Sequence, residues 1–243
     1  MKKIMTIVCS SILALSFAAC GNNNTNSAPG TSAAAETTAM AAESENTTAD
    51  STETAGSTET GSSILIAYFS VMETDGVDTV AGASRVAVDG EVLGNNQYIA
   101  QIIQRETGGD LFSIETVQEY PTAHEPLLEF AYNEKAENAR PELATHIENL
   151  DSYDVIFLGY PNWNADLPMP LYTFLEEYDF SGKTIIPFNT HGGSGFSRTV
   201  QTISELQPNA TVRSDGLSIS RNDVKGAESE VVNWVQSLNL AAE

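Results

Sequence analysis

The chain has 243 residues, 33 acids against 11 lysines and arginines, and a formal charge of −22. Such an excess of negative charge opposes nucleic acid and anionic membrane surfaces as partners and suits a basic protein. Its two cysteines, Cys9 and Cys20, both lie near the amino terminus, so the rest of the chain carries no thiol chemistry, disulfide or cysteine metal ligand.

Lys2 and Lys3 precede a run of apolar or small residues, Ile4 to Ala19, that Cys20 closes. This is the pattern of a secretory signal over residues 1–20, too short and too weakly flanked for a dependable membrane span. Ala18-Ala19-Cys20 followed by Gly21 resembles a bacterial lipoprotein cleavage box, with Phe17 where Leu is commoner. The resemblance implies lipidation of Cys20, an extracytoplasmic location and anchoring to the cell membrane through acyl chains alone, of which more than one is needed. A plain secretory peptide with an incidental cysteine is the alternative. Residues 21–62 contain no Lys, Arg or aromatic residue. They cannot bury enough apolar surface to offset ordering entropy and read as a disordered tether.

Residues 63–243 suit one α/β domain, with 27 acids against nine bases. The pattern predicts strands at 64–69, 111–116, 154–160, 183–189 and 211–219. It predicts helices at 96–107, 123–139, 141–150, 168–178, 195–206 and 223–238. Strands alternating with helices imply a parallel sheet with right-handed crossovers in three α/β/α layers. In a doubly wound sheet of order 2-1-3-4-5, the loops after the first and third strands flank the switch point where ligands bind.

Three loops there are polar and glycine-rich. Loop one runs from Ser70 to "LGNNQYIA" (93–100), loop two is "GYPNWNADLPMP" (159–170), and loop three is "NTHGGSGF" (189–196), opening a helix at Gly195 or Phe196. Backbone N–H groups at a helix start bind anions. Trp163 is expected to stand exposed beyond its strand, where it stacks on a planar ligand. Each loop also has an ordinary structural reading: a capped helix for Asn95, a core-edge Trp163, and a turn at Gly192-Gly193-Ser194. Their convergence at one switch point favours a ligand site.

From about Ile64 to Leu238 the chain resembles the flavodoxin family, through "IAYFS", "LGYPNW", "YDFSGKTIIPFNTHGGSGF" and "GLSISRND". The resemblance implies a flavodoxin-like fold, bound FMN, and electron transfer or reduction of a small acceptor. It places phosphate contacts at Ser70, Asn95 and Asn96. Contacts to the isoalloxazine ring fall at Pro161, Asn162, Trp163 and Asn164 in loop two, and at Thr190, His191, Gly192 and Gly193 in loop three. Asn96 replaces the usual Thr, and Asn164 replaces a common second Trp. The insert "VMETDGVDTVAGASRVAVDGEVL" separates Ser70 from the Gly-Asn turn. Within it, "DTVAGAS" resembles the signature at which an exported transferase attaches FMN through a phosphoester, which implies a covalent flavin on Ser84. Ala81 departs from that signature.

His191 is expected to donate a hydrogen bond or, when protonated, to place a charge near the flavin; a turn residue capping the next helix is its structural reading. His124 and His146 read as surface residues. The redox reading needs a donor and an acceptor that the residues do not name, the acceptor being a basic protein or a quinone-like small molecule. The reading from another class is a surface ligand-binding module without redox activity.

Overall fold

The computed structural model describes residues 63–74 and 85–240. Residues 1–62, which hold the signal, Cys20 and the tether, and Ser84 in the insert lie outside them. The central sheet is built from β1 (Ile64–Tyr68), β4 (Asp110–Ser113), β5 (Val155–Pro161), β6 (Thr184–His191), β7 (Thr211–Val212) and β8 (Leu217–Ser220). Its order is β4-β1-β5-β6-β7, with β8 also on β6, and every pair is parallel. Counting β7 and β8 as one interrupted edge strand recovers the expected 2-1-3-4-5 order.

Helices α1 (Asn95–Thr107) and α5 (Glu228–Ser237) share one apolar cluster with Ile66, Phe157 and Ile186. Helices α2 (His124–Glu137), α3 (Met169–Glu177) and α4 (Thr199–Leu206) share another with Leu65, Ile156 and Ile185 on the opposite sheet face. Adjacent strand residues thus feed opposite cores, which is why the central strands are continuously apolar rather than alternating.

The edge strand breaks for a visible reason. Thr184 and Ile185 pair with β7, and pairing resumes at Phe188 with β8. Between them Pro187 has no N–H to donate. Its carbonyl lies against Gly216, where an added Cβ would approach within 2.4 Å.

Two expected helices change. Residues 141–149 are not helical, and a single 3-10 turn begins only at Leu150: Leu143 bridges Thr116, with backbone bonds Val117 N–H to Glu142 at 2.9 Å and Ala144 N–H to Glu115 at 2.8 Å. A short helix gains little on its own, whereas this pairing satisfies backbone groups and buries Leu143 in the core. Helix α4 begins at Thr199, not at Gly195 or Phe196, because Gly193, Gly195 and Ser197 all have positive φ (125°, 58° and 52°). A right-handed helix accommodates none of these.

The insert ends in an antiparallel hairpin of β2 (Arg85–Val88) and β3 (Glu91–Gly94). Its turn is Asp89-Gly90, both with positive φ (52° and 86°). Asp-Gly between apolar residues is a strong hairpin signal that a reading of the insert as plain loop passes over.

Candidate functional site

The carboxyl ends of β1, β5 and β6 bring the three loops together. Ser70 leaves β1, and the chain returns through β3 to Gly94, which caps α1. A Cβ on Gly94 would lie 2.2 Å from Ser70 Oγ. The two ends of loop one are therefore in contact despite the insert, and a side chain at Gly94 would have to displace the Ser70 hydroxyl. Gly94 N–H donates to Gln97 Oε1 at 3.2 Å, and no acid occupies the first turn of α1. Its amino end keeps a field suited to an anion.

Asn95 and Asn96 are each 1 % exposed. Asn96 Nδ2 donates to Thr190 Oγ1 at 3.1 Å, which ties loop one to loop three. Asn162 N–H donates to the Thr190 carbonyl at 2.8 Å, and its Nδ2 donates to the Gly195 carbonyl at 2.6 Å and Ser197 Oγ at 3.2 Å. Asn189 Nδ2 donates to the same Gly195 carbonyl at 3.0 Å, while its Oδ1 accepts from Ser218 Oγ at 2.6 Å. Three buried polar atoms at this edge have no hydrogen-bond partner among the described residues: Asn96 Oδ1, Asn162 Oδ1 and Trp163 Nε1. Buried polar groups are rarely left so, and several in one place point to a polar ligand.

Trp163 does not stand exposed as expected. It is 5 % exposed, edge-on to Phe69 with centroids 5.5 Å apart and tilted against Tyr120 at 5.7 Å. The cause is a two-residue turn at Asn164-Ala165, both with positive φ (52° and 59°), closed by paired backbone bonds between Trp163 and Asp166. Lys135 Nζ fastens this turn from α2, donating to the Asn164 carbonyl at 2.7 Å and lying 3.1 Å from the Asp166 carboxylate. Pro161 is buried at the end of β5 beside Thr190, and the Asn164 side chain, Gly192 and Gly193 lie exposed on the rim.

His191 keeps one half of its expectation, a ring N–H at Nε2 able to donate, while its surroundings disfavour the other half, the charge. Its Nδ1 accepts from Gly193 N–H at 2.9 Å, and burial holds its pKa below the ordinary imidazole value, with Asp223 opposing that shift. It is a neutral turn residue whose remaining donor is Nε2–H, not a charged group, and it braces the glycine turn rather than capping α4. His124, expected at the surface, is 8 % exposed and lies 2.6 Å from Glu73, itself 1 % exposed. His146 is exposed as expected and pairs with Glu177 at 2.8 Å.

The family model described as Flavodoxin matches residues 86–238. The chain belongs to the flavodoxin family. Among solved structures, it is similar to a protein assigned as a flavoprotein from Bacteroides eggerthii at 24 % identity and TM-score 0.52, covering 73 % of this chain and 98 % of that one. A second, from Bacteroides uniformis, is 26 % identical with TM-score 0.50, covering 68 % and 97 %. A Lactobacillus acidophilus flavoprotein in complex with FMN is 21 % identical with TM-score 0.46, covering 70 % and 97 %. No curated protein matches significantly.

In this flavodoxin-family domain Ser70 lies against Gly94, and hydrogen bonds join Asn96 and Asn162 to Thr190, whereas Trp163 turns inward. Sequence reasoning missed Lys135, Asn189 and Ser197, which set loop shape. Their contacts join residues 29, 6 and 35 positions apart, so no local signal marks Lys135 or Ser197. Asn189 stands inside the quoted motif and was open to notice.

Proposed function

We propose that the domain holds FMN across these three loops and works as an extracytoplasmic electron-transfer protein. Family membership supports FMN as the cofactor, and the residues fit it. Ser70, Asn95, Asn96 and the start of α1 offer neutral donors to a phosphate. Asn162 and Thr190 to Gly193 would border the ring system. The observation that carries the reading is the Asn96–Thr190 bond: it joins the phosphate turn to the ring loop across the insert, beside polar atoms that lack partners.

When bound, FMN supplies one- or two-electron chemistry. The chain's own part is to orient the flavin and set the cost of adding charge. A domain with 27 acids against nine bases disfavours an anionic reduced flavin. His191, held neutral, offers Nε2–H without a compensating charge. The residues do not choose between passing electrons to a basic protein and reducing a quinone-like molecule. Acylation of Cys20 would keep the domain at the outer face of the cell membrane on its tether; a Cys20→Ala protein found in the soluble fraction supports this, and one still in the membrane fraction refutes it.

FMN added to the purified protein should survive desalting in stoichiometric amount and show the two visible flavin bands. A colourless product would favour the flavin-free binding module, for which the buried Trp163 speaks. Acid precipitation of loaded protein purified from its own host then tests Ser84: release of all colour rules out a covalent ester there.

A further inference from the structure

Three side chains from separate elements form a continuous path from loop two to α2. Trp163 leaves the end of β5 and packs against Tyr120, which follows β4, with ring centroids 5.7 Å apart. The Tyr120 hydroxyl donates to Glu134 Oε2 of α2 at 2.6 Å. The next residue of α2, Lys135, donates to the Asn164 carbonyl at 2.7 Å, so one helix fixes both rings. Trp163 is 5 % exposed, whereas Tyr120 and Glu134 are half-buried.

Packing alone does not require this arrangement. A phenylalanine at 120 would keep the edge contacts with Phe69 and Phe130, at 5.6 Å and 5.0 Å, without taking a carboxylate out of water. Burial raises the pKa of Glu134, against the opposing bond from Tyr120, and makes it a stronger base than an exposed carboxylate. Burial and the bond to Glu134 raise the pKa of Tyr120, so the phenol keeps its proton until it is oxidised. A phenol that loses an electron also loses its proton, and Glu134 is already placed to take it. The indole differs. Trp163 Nε1–H is buried with no hydrogen-bond partner among the described residues, so an oxidised indole there keeps its proton and stays strongly oxidising. An oxidising equivalent therefore runs downhill from Trp163 to Tyr120.

We infer that Trp163, Tyr120 and Glu134 form a one-electron relay that moves an oxidising equivalent from loop two to the surface beside α2. An oxygen-centred radical at loop two takes one electron from Trp163 and leaves the indole radical cation. Tyr120 restores that electron, passes its phenolic proton to Glu134 and becomes a neutral phenoxyl radical beside a carboxylic acid. A soluble one-electron reductant of the ascorbate class then supplies an electron, and Glu134 gives the proton back. Trp163 adjoins Asn162 of the proposed flavin site, and reduced flavin with dioxygen is a source of such radicals. That source rests on the FMN reading; the relay does not.

The test is pulse radiolysis of the intact Trp234→Phe protein, in which Trp163 is the one tryptophan, with azide radical as the oxidant. The indole-radical absorption should form first and decay as the phenoxyl absorption grows, at a rate independent of protein concentration. Tyr120→Phe should abolish that growth. Glu134→Gln keeps a hydrogen-bond acceptor and the packing but not the base, and should slow the growth about a hundredfold, the low end of what a placed proton acceptor contributes. Tyr132→Phe, at a tyrosine 64 % exposed on α2, should leave it unchanged. Growth that persists in Tyr120→Phe, scales with protein concentration or is unmoved by Glu134→Gln overturns the relay. Transfer in a protein that does not retain FMN refutes the flavin reading alone, and FMN retention without phenoxyl growth refutes the relay alone.

Discussion

Loops one and three serve the same edge of the sheet by different means. Loop three is shaped largely within itself: Gly193 N–H reaches back to His191, and the Gly195 carbonyl accepts from Asn189 within the same motif. Loop one cannot shape itself, since the insert separates Ser70 from Gly94. Its geometry comes from contact between the two ends and from Thr190 across the cleft. Local turn chemistry therefore maintains one half of the site and tertiary closure the other, and substitutions should separate them.

The largest effect is expected at Gly94→Ala. The backbone there is already extended and suits alanine, so the whole effect is steric, from a Cβ placed 2.2 Å from Ser70 Oγ. Overpacking of this kind costs about 1–3 kcal/mol of folding stability, which should appear as a lower midpoint in thermal unfolding. Ser70→Gly added to Gly94→Ala should restore that stability; if the single variant unfolds like the parent, loop one does not depend on that contact. Gly193→Ala attacks the local half. A φ of 125° is strained for any side chain, at about 1–3 kcal/mol, and thermal unfolding should register the loss with the core intact.

A smaller effect is expected for Asn96→Ala and Thr190→Val, at about 1 kcal/mol each. Their double variant should cost little more than either single one, because both remove the same bond; strict additivity in a double-mutant cycle would show that the loops are not coupled through it. The smallest effect is in pH. The folded-state pKa of His191 is depressed, so the unfolded chain takes up a proton first as pH falls. The stability His191 contributes is present above the ordinary imidazole pKa, about 6.5, and is lost as pH drops through the lower folded value. His191→Asn should flatten that decline; an unchanged profile would place the titration elsewhere.

The parts of the fold that could be read in advance were those in which neighbouring residues carry the information. β5 was legible because a continuous apolar run ended by "GYP" suits a strand buried on both faces. The hairpin β2–β3 was equally legible through Asp89-Gly90, had the insert been read for turns. Residues 141–150 were not, because pairing with 115–117 outweighs a weak helical pattern. Trp163 was misplaced for a related reason. A motif shows that a large ring lies beside the site, but its direction depends on a turn fastened by Lys135 from another helix.

By itself the sequence determined the strand-and-helix alternation, the polar loops at the sheet's carboxyl edge and the flavodoxin resemblance, since each rests on local pattern or short motif. Only the tertiary structure decided that Ser70 and Gly94 still meet, that Trp163 faces inward and that the first residues of the insert are held by Thr122 and His124. Those outcomes depend on contacts between residues distant along the chain, such as Glu73 with His124 and Asn96 with Thr190. Such contacts form only once packing has supplied the energy to close the loops between them.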